Sequence, residues 1–143
     1  MKPLIASQLI KGTVRFTVRP RPHSPYRYDV LVFAGEKKMV RWAWMFRDVG
    51  IRSCLAACIT NMDVSFDLGD LLFTRRQLTP ELITHEATHA AHNYYAKVRG
   101  QRRITVGGAR TTPGEEYVAD AAGHLVADIT RNLRKRGLLN GSD

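Results

Sequence analysis

Cysteine is scarce in this chain: Cys54 and Cys58 are the only two among 143 residues, too few for a small scaffold stapled by several disulfides. Four apart in a helix-compatible stretch, they read as small buried apolar residues rather than as a disulfide or a metal-binding pair. Long apolar runs are missing as well, and none approaches the roughly 20 residues needed to cross a bilayer as a helix. The first residues, with Lys2, Pro3 and Gln8, lack the long apolar region and cleavage site of a signal peptide, so a cytoplasmic setting is the expectation. Acidic side chains are the minority: 13 Asp+Glu face 22 Lys+Arg, a net charge of +9. Neither a linker nor an internal repeat divides the chain, and its length suffices for one compact core, so residues 1–143 are expected to form a single domain.

What is present begins with strand-like patterning. In Thr13 to Arg19, Val14, Phe16 and Val18 alternate with Thr13, Arg15, Thr17 and Arg19, as in a strand with one buried face and one wet, positive face. Pro20, Pro22 and Pro25 end it. Tyr28–Phe33 and Met39–Phe46 read as two further strands joined by a turn at Gly35-Glu36-Lys37-Lys38, a hairpin carrying Trp42 and Trp44 on one face. Residues 48–61 are ambiguous and lean towards helix. Leu71–Thr74 reads as a short strand.

Helix signals dominate the second half. Thr79-Pro80 supplies an N-cap and a proline at the first helical position, and Gly100 is the next breaker, which predicts a helix over about 80–98. Thr112, Pro113 and Glu115 form a capping-box pattern that starts a second helix over about 113–136, with Gly137 as its C-cap.

The first of these helices carries His85-Glu86-Ala87-Thr88-His89, an HExxH motif. Four residues apart on a helix, two imidazoles lie on one face about 6 Å apart along the axis, close enough to share one metal ion. Neutral imidazoles suit Zn²⁺, and a neighbouring carboxylate is placed to take a proton from a water activated by that ion. A catalytic zinc normally has three protein ligands, and Glu116, at the start of the second helix, is the best candidate for the third. Asp120 follows one turn later on the same face, where it could accept the free N–H of a ligand histidine.

HExxH at 85–89 followed by ExxxD at 116–120 resembles the gluzincin branch of the zincin metallopeptidases. The likeness covers roughly residues 69–137 and is greatest to small prokaryotic and phage zincin-like domains, including the ImmA/IrrE type; the N-terminal half resembles no family. Carried over by position, it implies His85, His89 and Glu116 as zinc ligands, Glu86 as general base and Asp120 as the orienter of a ligand histidine. It also implies an α+β fold, in which a mostly antiparallel twisted sheet packs on the two helices and Leu71–Thr74 is an edge strand along a cleft that takes an extended peptide. The metzincin branch does not fit, because position 95 is Tyr and His92 comes only three residues after His89. About 10 Å along the axis from His85, His92 lies too far to join the same ion and reads as a polar helical residue.

The expected reaction is peptide-bond hydrolysis, with Glu86 accepting a proton from the attacking water and returning it to the leaving amine. Candidates for stabilising the oxyanion are Tyr94, Tyr95, Tyr117, Arg110 and His124, the last eight residues after Glu116 and on nearly the same helical face. The arginine-rich stretch from Arg99 to Thr111, with Gly107-Gly108, is either a lid or an ordinary solvated connection. Arg131, Arg134, Lys135 and Arg136 have a local explanation in the helix macrodipole, yet the overall positive charge also suits nucleic acid or an acidic protein. Two functions therefore compete: a zinc-dependent peptidase acting on a protein or peptide, and a non-catalytic zinc-containing module that binds nucleic acid or a DNA-associated acidic protein.

Overall fold

The computed structural model describes residues 12–47, 49–50, 56–61, 63, 65–100 and 107–139. They form an α+β arrangement of a four-stranded sheet and three α-helices. The strands are β1 (Val14–Val18), β2 (Arg27–Phe33), β3 (Ala56–Thr60) and β4 (Asp67–Thr74), and the helices are α1 (Glu36–Arg47), α2 (Pro80–Arg99) and α3 (Pro113–Lys135). A short 3₁₀ turn, Arg75–Gln77, joins β4 to the loop before α2.

The sheet order is β1-β2-β4-β3. β1 and β3 pair antiparallel with their neighbours, while the central pair β2·β4 is parallel, so the sheet is mixed, with two of its three pairings antiparallel as expected. A parallel pair cannot be joined by a tight turn and needs a crossover, which here contains α1 and β3. β4 is consequently interior and β3 forms the edge, contrary to the expectation of an edge strand at 71–74.

Alternation along β2 divides the core. Tyr28, Val30 and Val32 face α2 and α3 together with Phe16, Val18, Leu71 and Phe73, while Leu31, Phe33 and Leu72 face α1. β1 follows its sequence pattern, with Phe16 and Val18 buried and Arg15 and Thr17 exposed. Gly69 adopts φ +127°, and a Cβ there would lie 1.9 Å from the Ile59 carbonyl oxygen. Only glycine lets β3 pair this closely beside the irregularity in the β2·β4 register.

Residues 39–46 are helical, not a strand. The period-two run Val40, Trp42, Trp44, Phe46 coexists with a helical period, Met39, Trp42 and Ala43, and burial of that trio against the sheet decides between them. Trp42 therefore points inward and Trp44 outward, instead of sharing a face. Within 48–61, Ala56–Thr60 is a strand where helix was expected, because β4 offers it a complete ladder partner; residues 51–55, Cys54 among them, lie outside the described residues.

Both long helices follow their caps. Thr79 Oγ1 accepts from the Leu82 N–H, and Gly100 ends α2 in the left-handed conformation. Thr112 and Glu115 close the capping box of α3. At its other end Gly137 has φ +70° and Leu138 N–H reaches the Leu133 carbonyl, as in a Schellman cap. Among the described residues no helix is long and apolar enough to cross a membrane.

Candidate metal centre

α2 packs its buried side, Ile83, Ala87, Ala90, Ala91 and Tyr94, against the sheet and α3. Alanine at three of these positions permits close approach, and the Tyr28 hydroxyl donates to the Ala90 carbonyl at 2.8 Å, fixing the helix on β2. The opposite side is left to solvent, with His85, His89 and His92 all exposed.

His85 and His89 are brought together. Their Nε2 atoms stand 3.2 Å apart and their rings meet edge to face at 4.7 Å between centroids. Two imidazole nitrogens at the usual zinc distance of about 2.0–2.1 Å, separated by a tetrahedral angle, are about 3.3 Å from each other. The pair thus has the donor chemistry and spacing for one such ion, and the same separation also accommodates a single N–H···N hydrogen bond.

Glu86 lies a third of a turn around, towards β3, and is 5% exposed. Burial pushes its carboxyl above the usual carboxylate range, and the positive influence of His85 and His89 opposes this. Cys58 on β3 belongs to the same neighbourhood: burial, and secondarily the charge of Glu86, push its thiol up to about 12. Asn93 completes this side, donating to Thr60 Oγ1 and, at 3.7 Å, to Cys58 Sγ. Cys58, Thr60 and Asn93 were not among the sequence candidates. Asn93 was accessible in principle, since seven residues after Glu86 it falls on the same helical face; the other two come from a strand that pattern alone did not find.

The remaining sequence candidates occupy other positions. Glu116 Oε1 accepts from Thr111 Oγ1 at 2.6 Å. Asp120 stands 3.6 Å from Arg21 Nη2 and 3.8 Å from His124 Nε2, so Asp120 and His124 form a unit of their own with Arg21. Among the described residues, no group of three or more His, Cys, Asp and Glu side chains is gathered in a way that would hold a metal ion. The tyrosines meet one another: the Tyr117 hydroxyl donates to that of Tyr94 at 3.0 Å, their rings stack, and Tyr95 packs on Tyr117. Arg21 and Arg99 lie over the Tyr117 ring at 4.4 and 5.1 Å. Arg110 belongs to a turn closed by its N–H on the Gly107 carbonyl.

A groove of about 680 Å³ runs between α2 and α3, lined by Thr84 on one side and by Ala122, Gly123, Val126 and Ala127 on the other, with Arg131 and Arg134 at one end. It reaches the residue before His85 but not the histidine pair itself. Comparison with protein-family models, with curated proteins and with solved structures gives no match for this chain.

Proposed function

We propose that this chain is a zinc-dependent peptidase built on the HExxH helix, with His85 and His89 as ligands and Glu86 as general base. The observation that carries the reading is the 3.2 Å approach of the two Nε2 atoms beside a buried carboxylate. A bound zinc ion supplies Lewis acidity to water and to the scissile carbonyl. The protein's own contribution is proton transfer. Glu86 accepts a proton from the attacking water and delivers it to the leaving nitrogen, and its upward shift brings it nearer the neutral range, where such a relay is efficient. In this reading Glu116 is the third ligand, a place it takes by leaving Thr111, and α2 holds the histidines rigid through its packing on β2 and α3. Asp120, as orienter of a ligand histidine, and His124, as a donor to the oxyanion, take those roles in this reading by leaving their present positions beside each other and Arg21.

A second reading, a non-catalytic zinc-containing module, draws support from the present engagement of Glu116 with Thr111. Glu86→Gln separates the two. For a peptidase it lowers turnover of an unstructured protein substrate by roughly 10²- to 10⁴-fold while zinc content and folding stay intact, because Glu86 is not a ligand. Unchanged turnover in that variant rejects Glu86 as base, and wild-type protein that binds zinc but hydrolyses no peptide favours the binding module. His89→Ala is expected to lower zinc content, and full occupancy there contradicts the ligand assignment.

A further inference from the structure

α1 lies on the sheet face opposite the histidine helix, and its two sides differ chemically. The inner side, Met39, Trp42 and Ala43, is buried against Leu31, Phe33 and Leu72. On the outer side Lys37, Arg41 and Trp44 follow one another at i, i+4 and i+7, a stripe about 10 Å long on one helical face. All three are exposed; Trp44, at 63%, is the most exposed of the large apolar side chains described. A depression of about 480 Å³ opens on the same surface, lined by Glu36, Lys37, Val40 and Arg41.

The cations of this stripe differ from their neighbours. Arg15 pairs with Asp29, and Arg47 with Asp67 and Asp70, whereas Lys37 and Arg41 have no carboxylate or hydrogen-bond partner among the described residues. The two tryptophans differ likewise. Trp42 donates to Asp70 and packs on Phe33 and Phe46, whereas Trp44 has no ring partner among the described residues.

We infer that the outer face of α1 binds single-stranded nucleic acid, with Trp44 stacking on a base and Lys37 and Arg41 holding phosphates. An exposed aromatic ring flanked by unneutralised cations offers what such a strand presents, π-faces and a repeating negative charge, without needing a particular base. The +9 charge of the whole chain draws the same kind of partner. A membrane surface fits less well. Met45 and Phe46 are exposed beside Trp44, but this short apolar end falls short of the broad apolar side that a helix lying in the bilayer interface needs, since Met39, Trp42 and Ala43 are buried on the sheet. Duplex DNA fits less well too, because its bases are stacked on one another and closed to Trp44. This inference stands apart from the peptidase reading, since α1 and α2 pack on opposite faces of the sheet.

The test uses the full chain and a twelve-residue oligothymidylate. Trp42 and Trp44 are the only tryptophans and Trp42 is buried, so stacking on Trp44 appears as saturable quenching of the exposed emission component, absent in Trp44→Phe. With a labelled oligonucleotide, Trp44→Ala is expected to weaken binding roughly 5- to 100-fold. Lys37→Glu/Arg41→Glu weakens it further and flattens the log–log salt dependence by about 1.4, the equivalent of two phosphate contacts. Circular dichroism checks that these surface variants stay folded, and Glu86→Gln leaves binding unchanged. Four results overturn the inference. They are no binding, equal affinity in the Trp44→Ala and double-glutamate variants, equal affinity for a duplex of the same length, and displacement of the oligonucleotide by polyglutamate at matched charge. A blue shift of Trp44 on anionic phospholipid vesicles without quenching by the oligonucleotide assigns the face to a membrane surface instead.

Discussion

Thr111 donates its hydroxyl to Glu116 Oε1 at 2.6 Å, so the carboxylate proposed as a third ligand is held by a threonine just before α3. A hydrogen bond to a charged acceptor has a net worth of about 1.5–3 kcal/mol when well protected and less when exposed, as here. Thr111→Val is therefore expected to free Glu116 and tighten zinc binding roughly five-fold, read by competition with a chelating dye. Glu116→Gln is expected to weaken it at least ten-fold. Unchanged affinity in Glu116→Gln removes Glu116 from the ligand set.

Asp70 is 1% exposed and accepts from Trp42 Nε1 at 2.9 Å and from Arg47 Nε and Nη2 at 2.8 and 2.7 Å. This carboxylate, on an interior strand, anchors α1 to the sheet. Arg47→Met strands a buried charge and is expected to cost about 3–5 kcal/mol in urea unfolding. Adding Asp70→Leu to Arg47→Met recovers part of that loss, because no buried unpaired charge remains; Asp67, which also loses Arg47, is partly exposed to water. A double variant less stable than Arg47→Met would show that the Trp42 bond, not the charge, is what matters.

The hydroxyl pair Tyr117–Tyr94 ties α3 to α2 directly behind the histidine face. Tyr117→Phe keeps the ring stack and both guanidinium contacts and loses only the hydrogen bond, so a loss of about 1 kcal/mol is expected. Tyr117→Ala also removes the stack and the surface on which Arg21 and Arg99 rest, and should cost clearly more. Equal losses in the two variants would mean that the ring contributes nothing.

Alkaline pH probes the other side of the site. The Cys58 thiol, ordinarily near 9.0, is held up to about 12 by burial and then by the charge of Glu86. The unfolded chain ionises first, so the folded form binds the proton more tightly. The contribution of this group is complete below pH 9 and is lost as pH climbs from 9 towards 12. Cys58→Ala should flatten that part of the stability curve. Tyr94, pushed up to about 12 by burial and its bond with Tyr117, leaves a residual slope. An unaltered curve in Cys58→Ala would show that the thiol is open to water.

The two long helices were legible because their ends are written locally. Thr79-Pro80, Thr112-Pro113 with Glu115, Gly100 and Gly137 each act on backbone within a few residues. β1 was legible for a similar reason, since an edge strand with one wet face must alternate. α1 was not: Val40, Trp42, Trp44 and Phe46 mimic a strand, and only the sheet beneath Met39 and Trp42 makes the helical period the better choice. β3 opens with Ala56 and Ala57, poor strand formers, and has only Ile59 and Thr60 as strong ones, so its extended state depends on β4. At the site, the approach of His85 and His89 follows from spacing on one helix. Asp120 could not be placed in the same way, because its partner Arg21 is brought from the far end of the sequence by the packing of α3 on β1.

The order of the elements along the chain sets a hazard during synthesis. Every described strand of the sheet has been made by Thr74, yet among the described residues the cover of the side bearing Val30, Val32, Leu71 and Phe73 comes from α2 and α3, whose last buried residue is Leu133. At about 5–20 residues per second the ribosome needs several seconds to supply that cover. Through that interval the nascent chain presents a bare apolar surface, open to aggregation until the histidine-bearing helix closes over it.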